Sequence, residues 1–298
     1  MAGEPSSFTK WNKPTAQQQF ETQILKDNTD DRRRIQLTAP LATEIPVIDV
    51  HRFVSATDAE VFELHSALGS WGCFQVVNHG IEKSLLDKVR QIGREFFQLP
   101  RSEKQKYATN GDEDEGYSTD LRQVEEEMLK LLAKSLSLSD EKIFVRKTEV
   151  MYAQFNYYPP CPKPERVLGL REHADASLIT ILLQDDRVEG LQLLKDGTWF
   201  SVPIMPHALL VIAGDQLEIM SNGIFKSPVH RVIRVSSETE RCTLAVFCSP
   251  DFMEEIEPLD ELVVHGHRPR MFNKVTNYIG FYYPYFYKGK RAIDALRI

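Results

Sequence analysis

The stretch His173-Ala174-Asp175-Ala176-Ser177-Leu178-Ile179-Thr180-Ile181-Leu182-Leu183 puts a His-Ala-Asp triplet shortly before a mostly apolar run over 178–183. A run of that length, rich in β-branched residues and bounded by polar ones, reads as a buried strand. Outward from it, the same texture recurs at 151–157, 190–195, 208–213, 215–220, 228–235 and 241–248. Turn signals separate these runs: Lys195-Asp196-Gly197, Ala213-Gly214-Asp215, Ser221-Asn222-Gly223 and Ser236-Ser237-Glu238. Many short strands at this spacing predict a sandwich, barrel or jelly roll.

Upstream the periodicity changes. Residues 58–70 place Val61, Leu64, His65 and Leu68 on one helical face, and 82–98 place Leu85, Leu86, Val89, Ile92, Phe96 and Phe97 inward. Residues 122–138 read as a third helix, with Met128, Leu129, Leu132 and Leu136 on its apolar face, and 270–288 as an aromatic-rich helix after the strands. Short strands are expected at 45–50 and within 71–80, and an acidic loop at 111–116. The chain therefore divides into a polar extension over 1–43, a mostly helical region over 44–148, and a β-rich core with a C-terminal helix over 149–298. The run Asp30-Asp31-Arg32-Arg33-Arg34 reads as a solvated helix end, since the acids offset the bases.

Composition narrows the function. The chain has 298 residues, 42% apolar and 27% charged, with a net charge of −7, which leaves no electrostatic footprint for nucleic acid or an anionic membrane. No apolar run approaches the length of a membrane span, and the N-terminus has no apolar signal core. The four cysteines, Cys73, Cys161, Cys242 and Cys248, show no CxxC spacing. A reduced, cytoplasmic protein acting on a small molecule is the expectation, as a monomer.

Three residues carry chemistry. On an extended segment His173 and Asp175 point the same way, and His230 lies in the strand-like run Pro228-Val229-His230-Arg231-Val232-Ile233 that a β-rich fold can bring alongside. Two imidazoles and one carboxylate form the facial ligand set of non-haem Fe(II) sites, with open positions left over. The competing reading is that each histidine is a structural hydrogen-bonder. Of the other histidines, His207 lies in a turn, His265 and His267 in a loop, and His79 beside the turn glycine Gly80. Arg241 begins the strand after that of His230, and Thr243 shares its face: a guanidinium fork and a hydroxyl suited to a carboxylate. Asn156 and Tyr158, in Asn156-Tyr157-Tyr158-Pro159-Pro160-Cys161-Pro162, add an amide and a phenol. A small dicarboxylate such as 2-oxoglutarate fits that set.

The chain resembles the plant Fe(II)/2-oxoglutarate-dependent dioxygenases. The matching stretches are IPVIDV at 45–50, WGCFQVVNHG at 71–80, NYYPPCP at 156–162, HAD at 173–175, EGLQLLKDGTWFSV at 189–202, GDQLEIMSNGIFKSPVHR at 214–231 and RCTLAVF at 241–247. The branch it resembles includes senescence-related dioxygenase-like proteins, alkaloid and flavonoid O-demethylases and anthocyanidin synthase. The resemblance implies an α+β fold: a double-stranded β-helix, a distorted jelly roll, wrapped by N-terminal helices and a C-terminal helix. It implies His173, Asp175 and His230 as iron ligands, and Arg241, Thr243, Asn156 and Tyr158 around 2-oxoglutarate. Phe247, Gln154 and Ser249 fall at substrate-facing positions. Fe(II), 2-oxoglutarate and O2 would be consumed or used, ascorbate would serve as reductant, and no catalytic residue beyond the iron ligands is required.

The implied reaction is hydroxylation or O-demethylation of a planar aromatic plant metabolite, such as a flavonoid, coumarin or alkaloid, with release of succinate and CO2. Alternatives on the same scaffold are a phytohormone-modifying dioxygenase, an oxidase that does not use 2-oxoglutarate, and a non-catalytic binding protein. Two departures stand out. Thr243 replaces the serine usual in the family, keeping the hydroxyl and adding a methyl. After Asp120 the chain passes directly to Leu121-Arg122-Gln123, where family members carry a further segment that walls part of the substrate pocket.

Overall fold

The computed structural model describes residues 38–53, 57–105, 119–234, 238–264 and 268–298. The run at 30–34, the loop at 111–116, His265 and His267, and most of the 236–238 turn lie outside them. Among the described residues ten strands build the two main sheets, and a short ribbon pairs Glu255–Ile256 with Val275–Thr276. The larger has the order β1 (Val47–Asp49), β2 (Cys73–Val77), β8 (Leu209–Ala213), β5 (Ile179–Leu183), β10 (Arg241–Ser249), β3 (Val150–Tyr158). The smaller runs β4 (Leu168–His173), β9 (His230–Ile233), β6 (Leu191–Lys195), β7 (Thr198–Ser201). Only the β1–β2 pair is parallel.

Strand alternation sorts the apolar side chains into two layers. Cys73, Leu182, Leu210, Ile212 and Ala245 from the large sheet meet Leu191, Leu193 and Val232 from the small one, with Trp71 closing the cluster. The opposite face of the large sheet, including Phe74, Val76, Ile181, Leu183, Val211, Leu244 and Val246, packs against helices. These are the double-stranded β-helix and helical shell expected from the sequence.

The helices follow their apolar stripes. Helix α1 (Asp58–Ser70) opens on a reciprocal capping box between Thr57 and Glu60 and buries Leu64, Ala67 and Leu68. Gly72, at φ 69°, lets the chain turn from α1 into β2; a Cβ there would stand 2.3 Å from the Lys226 carbonyl, so no other residue fits. Helix α2 (Lys83–Gln98) departs from expectation. Its buried face is Leu86, Arg90 and Gly93, while Leu85 and Ile92 are exposed. Arg90 is turned inward because its Nε donates to the Gln184 carbonyl (2.9 Å), and Gly93 lies against the Phe155 ring. Helix α3 (Thr119–Ser135) buries Met128, Leu129 and Leu132 as its periodicity predicts.

Two expectations are corrected. Residues 215–220, read as a strand, form helix α4 (Asp215–Met220). All six side chains are buried, so the alternation of Leu217 and Ile219 carried no information about which backbone they sit on. The C-terminal helix α5 covers Tyr278–Phe286, not 270–288, because Asn277 holds a left-handed φ of 55° and caps Gly280 with its side chain.

Candidate metal centre

His173 ends β4 and His230 begins β9, and the two are directly paired across the small sheet. Register shifts between Leu168 and His173 bring that pairing about. Their rings stand 4.3 Å apart, tilted by 52°. Asp175 follows two residues beyond β4. Its backbone is fixed from α4, whose Asp215 N–H donates to the Asp175 carbonyl (2.8 Å), and from α5, whose Tyr282 hydroxyl donates to the Ala174 carbonyl (2.8 Å).

Hydrogen bonds settle which atoms face inward. His173 Nδ1 lies 2.8 Å from the Arg171 carbonyl and His230 Nδ1 3.1 Å from the Pro228 carbonyl. A carbonyl only accepts, so each Nδ1 carries a proton, and in the neutral ring each Nε2 presents a lone pair. Thr180 Oγ1 donates to Asp175 Oδ2 (2.7 Å), leaving Oδ1 to face the two imidazoles. That oxygen is 3.5 Å from His173 Nε2 and 3.6 Å from His230 Nε2. Burial, then His173 beside it, pushes the His230 imidazole down to about 4, against the pull of Asp175. Burial pushes the Asp175 carboxyl up, but the two imidazoles and Thr180 outweigh it and hold the group at about 2.

Three ligand atoms therefore converge, all within 4.8 Å of one another, with Asp175 ionised and the His230 imidazole neutral at neutral pH. A cation at the centre of such a set would meet all three donors at once. Two nitrogens and one carboxylate oxygen suit Fe(II). Among the described residues no other group of histidine, cysteine and carboxylate side chains converges this way. His79 is a turn hydrogen-bonder, as expected: its Nε2 contacts the His207 carbonyl (2.9 Å) and its Nδ1 accepts from Ile81 N–H.

A second cluster lies on β3 and β10. Their register sets Arg241 opposite Tyr158, Thr243 opposite Asn156, Ala245 opposite Gln154 and Phe247 opposite Tyr152. Direct partners in an antiparallel pair share a face, so these side chains line one side of the sheet. It is the side of Ala245, which belongs to the layer between the sheets. Arg241 and Thr243 are each 3% exposed. The Arg241 guanidinium lies 5.3 Å from the Tyr158 ring centroid, and its Nε donates to the Val188 carbonyl (3.2 Å). Gln154 donates to Asn156 (2.9 Å), Ser249 is buried, and Phe247 stacks on Tyr152 at 6.4 Å.

The sequence reading missed the contribution of α5. Phe286 meets the His173 ring edge-on at 5.7 Å and lies under the Arg171 guanidinium at 3.9 Å. An aromatic run with one internal proline gives no sign of which strand end it covers.

Comparison with known proteins agrees with this geometry. The 2OG-Fe(II) oxygenase superfamily matches residues 150–250, and the N-terminal region of non-haem dioxygenases in morphine synthesis matches residues 45–159. Protein SRG1 of Arabidopsis thaliana is 34% identical over 322 aligned positions, covering 90% of this chain and 89% of its own length. That alignment is longer than the 298-residue chain, so SRG1 carries residues with no counterpart here. Codeine O-demethylase of Papaver somniferum is 34% identical, covering 77% of this chain and 78% of its own. The crystal structure of JOX2 in complex with 2OG, Fe and JA superposes with a TM-score of 0.75 at 29% identity, covering 91% of this chain and 94% of that one. The chain belongs to the plant 2OG-Fe(II) oxygenase family and is a dioxygenase that uses Fe(II), 2-oxoglutarate and O2.

Proposed function

We propose that the protein hydroxylates or O-demethylates a planar aromatic metabolite, with His173, Asp175 and His230 holding the iron. Bound Fe(II) supplies the redox chemistry that couples O2 to the oxidative decarboxylation of 2-oxoglutarate and to oxidation of a substrate C–H bond. The chain's own part is placement. Two backbone carbonyls fix the imidazole tautomers, and Thr180 directs one oxygen of Asp175 to the metal. The Arg241 fork, with the Thr243 hydroxyl, takes the distal carboxylate of 2-oxoglutarate, and Asn156 and Tyr158 line the same cosubstrate.

The observation that carries the substrate class is the aromatic pair Phe247–Tyr152, on the face that also bears Arg241 and Thr243. Gln154 and Ser249 lie beside that pair as the polar substrate-facing groups. Flat aromatic walls favour flat ligands, at about 0.5–1.5 kcal/mol per stacked ring beyond area burial. Flavonoid 7-O-demethylase 1 of Ocimum basilicum, 32% identical over 317 positions, bears the same reading.

The test is succinate release with Fe(II), 2-oxoglutarate and ascorbate against a panel of methoxylated flavonoids, coumarins and alkaloids. Aromatic members should stimulate release, with formaldehyde where an O-methyl group is lost. Stimulation by jasmonate-type or indole-type carboxylic acids alone would replace this substrate class by a hormone.

A further inference from the structure

The loop between β5 and β6 is folded around a carboxylate that the chemistry above leaves unused. Asp185 is 1% exposed. Its Oδ1 accepts from the backbone N–H groups of Arg187 (2.8 Å) and Val188 (3.0 Å). Its Oδ2 accepts from the backbone N–H of Cys242 (2.8 Å) and from Arg94 Nη2 on α2 (3.1 Å). Four donors from three segments therefore meet on one buried group, which is the satisfaction a buried charge requires.

Two of those bonds bear on Arg241. Cys242 is its chain neighbour, so Asp185 fixes the start of β10. Val188 offers its carbonyl to Arg241 Nε (3.2 Å), and its own N–H is held by Asp185. The guanidinium is thereby braced through its backbone and through its Nε, and its side chain also hydrogen-bonds the Tyr158 phenol, which a bound distal carboxylate would join. Arg94 Nη2 is shared between Asp185 and Asp186, so it offsets part of the Asp185 charge and the three backbone donors carry the rest. Gly190 leaves the room: a Cβ there would stand 3.3 Å from Arg241 Cδ and Nε.

We propose that Asp185, matched by Arg94, is a positioning residue that presets the Arg241 fork for the distal carboxylate of 2-oxoglutarate. This rests on Arg241 being the cosubstrate's anchor. A mere loop cap would lower stability without touching cosubstrate selectivity.

The test is calorimetric titration of 2-oxoglutarate and, separately, oxalate into Mn(II)-loaded protein. Oxalate chelates a metal but has no distal carboxylate. Asp185→Asn is expected to weaken 2-oxoglutarate about tenfold, the loss of one charge-assisted bond, and to leave oxalate unchanged. In an Arg241→Ala background the same substitution should add little, since two residues acting through one contact are not additive. Should Asp185→Asn fail to fold, Arg94→Gln keeps the three backbone donors and is expected to show the same selective loss, reduced in size. Unchanged 2-oxoglutarate affinity in the folded variant, or equal loss for both ligands, overturns the proposal while Arg241→Ala still weakens 2-oxoglutarate. If Arg241→Ala leaves that affinity intact, the anchor assignment falls first and the positioning role with it.

Discussion

Asp175 has two oxygens with different neighbours: Oδ2 takes the Thr180 hydroxyl, and Oδ1 faces two imidazole nitrogens. Thr180→Val keeps the shape and removes the donor, so a buried carboxylate oxygen loses its partner. Metal affinity is expected to fall roughly 10–100-fold, as outer hydrogen bonds to metal ligands generally require; equilibrium dialysis with Mn(II) measures it. At Phe247 the expected effect is on coupling. Phe247→Ala should raise the substrate KM and increase 2-oxoglutarate turnover without product, seen as the ratio of succinate to product. A lower Tm with KM and coupling unchanged would make Phe247 a core residue. At this scale much was legible in the sequence. The HxD spacing and the strand of His230 pointed to the triad, and the alternation of Arg241, Thr243, Ala245 and Phe247 pointed to one face. Thr180 and Asp185 were not legible, because their importance lies in which backbone groups the fold delivers to them.

Among the elements, helices and strands with one solvent-facing side could be read from periodicity, and wholly buried ones could not. Helix α4 was read as a strand because every one of its positions is buried. In α2 the apolar stripe was mistaken by part of a turn because Arg90 and Gly93 occupy the inner face. Helix α3 carries a testable anomaly. Glu125 is 3% exposed, and its Oε1 has no hydrogen-bond partner among the described residues. Burial raises its carboxyl to about 7, with the Arg122 guanidinium opposing from 4.0 Å. A raised carboxyl favours the protonated form in the fold. Its contribution to stability is therefore complete below the unfolded value near 4.5 and is lost as pH rises through about 7. Glu125→Gln should match the wild type near pH 4 and be more stable at pH 8, by about 1–3 kcal/mol. Thermal unfolding of both proteins across that range checks it; a difference independent of pH would show that Glu125 is ionised in the fold.

Across the whole molecule, two sheets and a helical shell bring together residues far apart in the chain. β4 and β9 deliver the histidines, the turn before β5 delivers Asp175, and β3 with β10 delivers the face that carries Arg241 and Thr243. The β-rich core was legible from short strands with strong turn signals, which left a sandwich, barrel or jelly roll open; the double-stranded β-helix followed from the resemblance of the motifs to a known family. The substrate was not, since α5 reaches the His173 ring through tertiary packing alone. The account stands or falls on the three ligands. The direct measurement is iron content after anaerobic loading with Fe(II) and removal of excess, in the wild type and in His173→Ala, Asp175→Ala and His230→Ala, with circular dichroism confirming the fold of each. One iron per wild-type chain, and little or none in each folded variant, is the predicted result. Near-wild-type iron in all three variants would contradict the account.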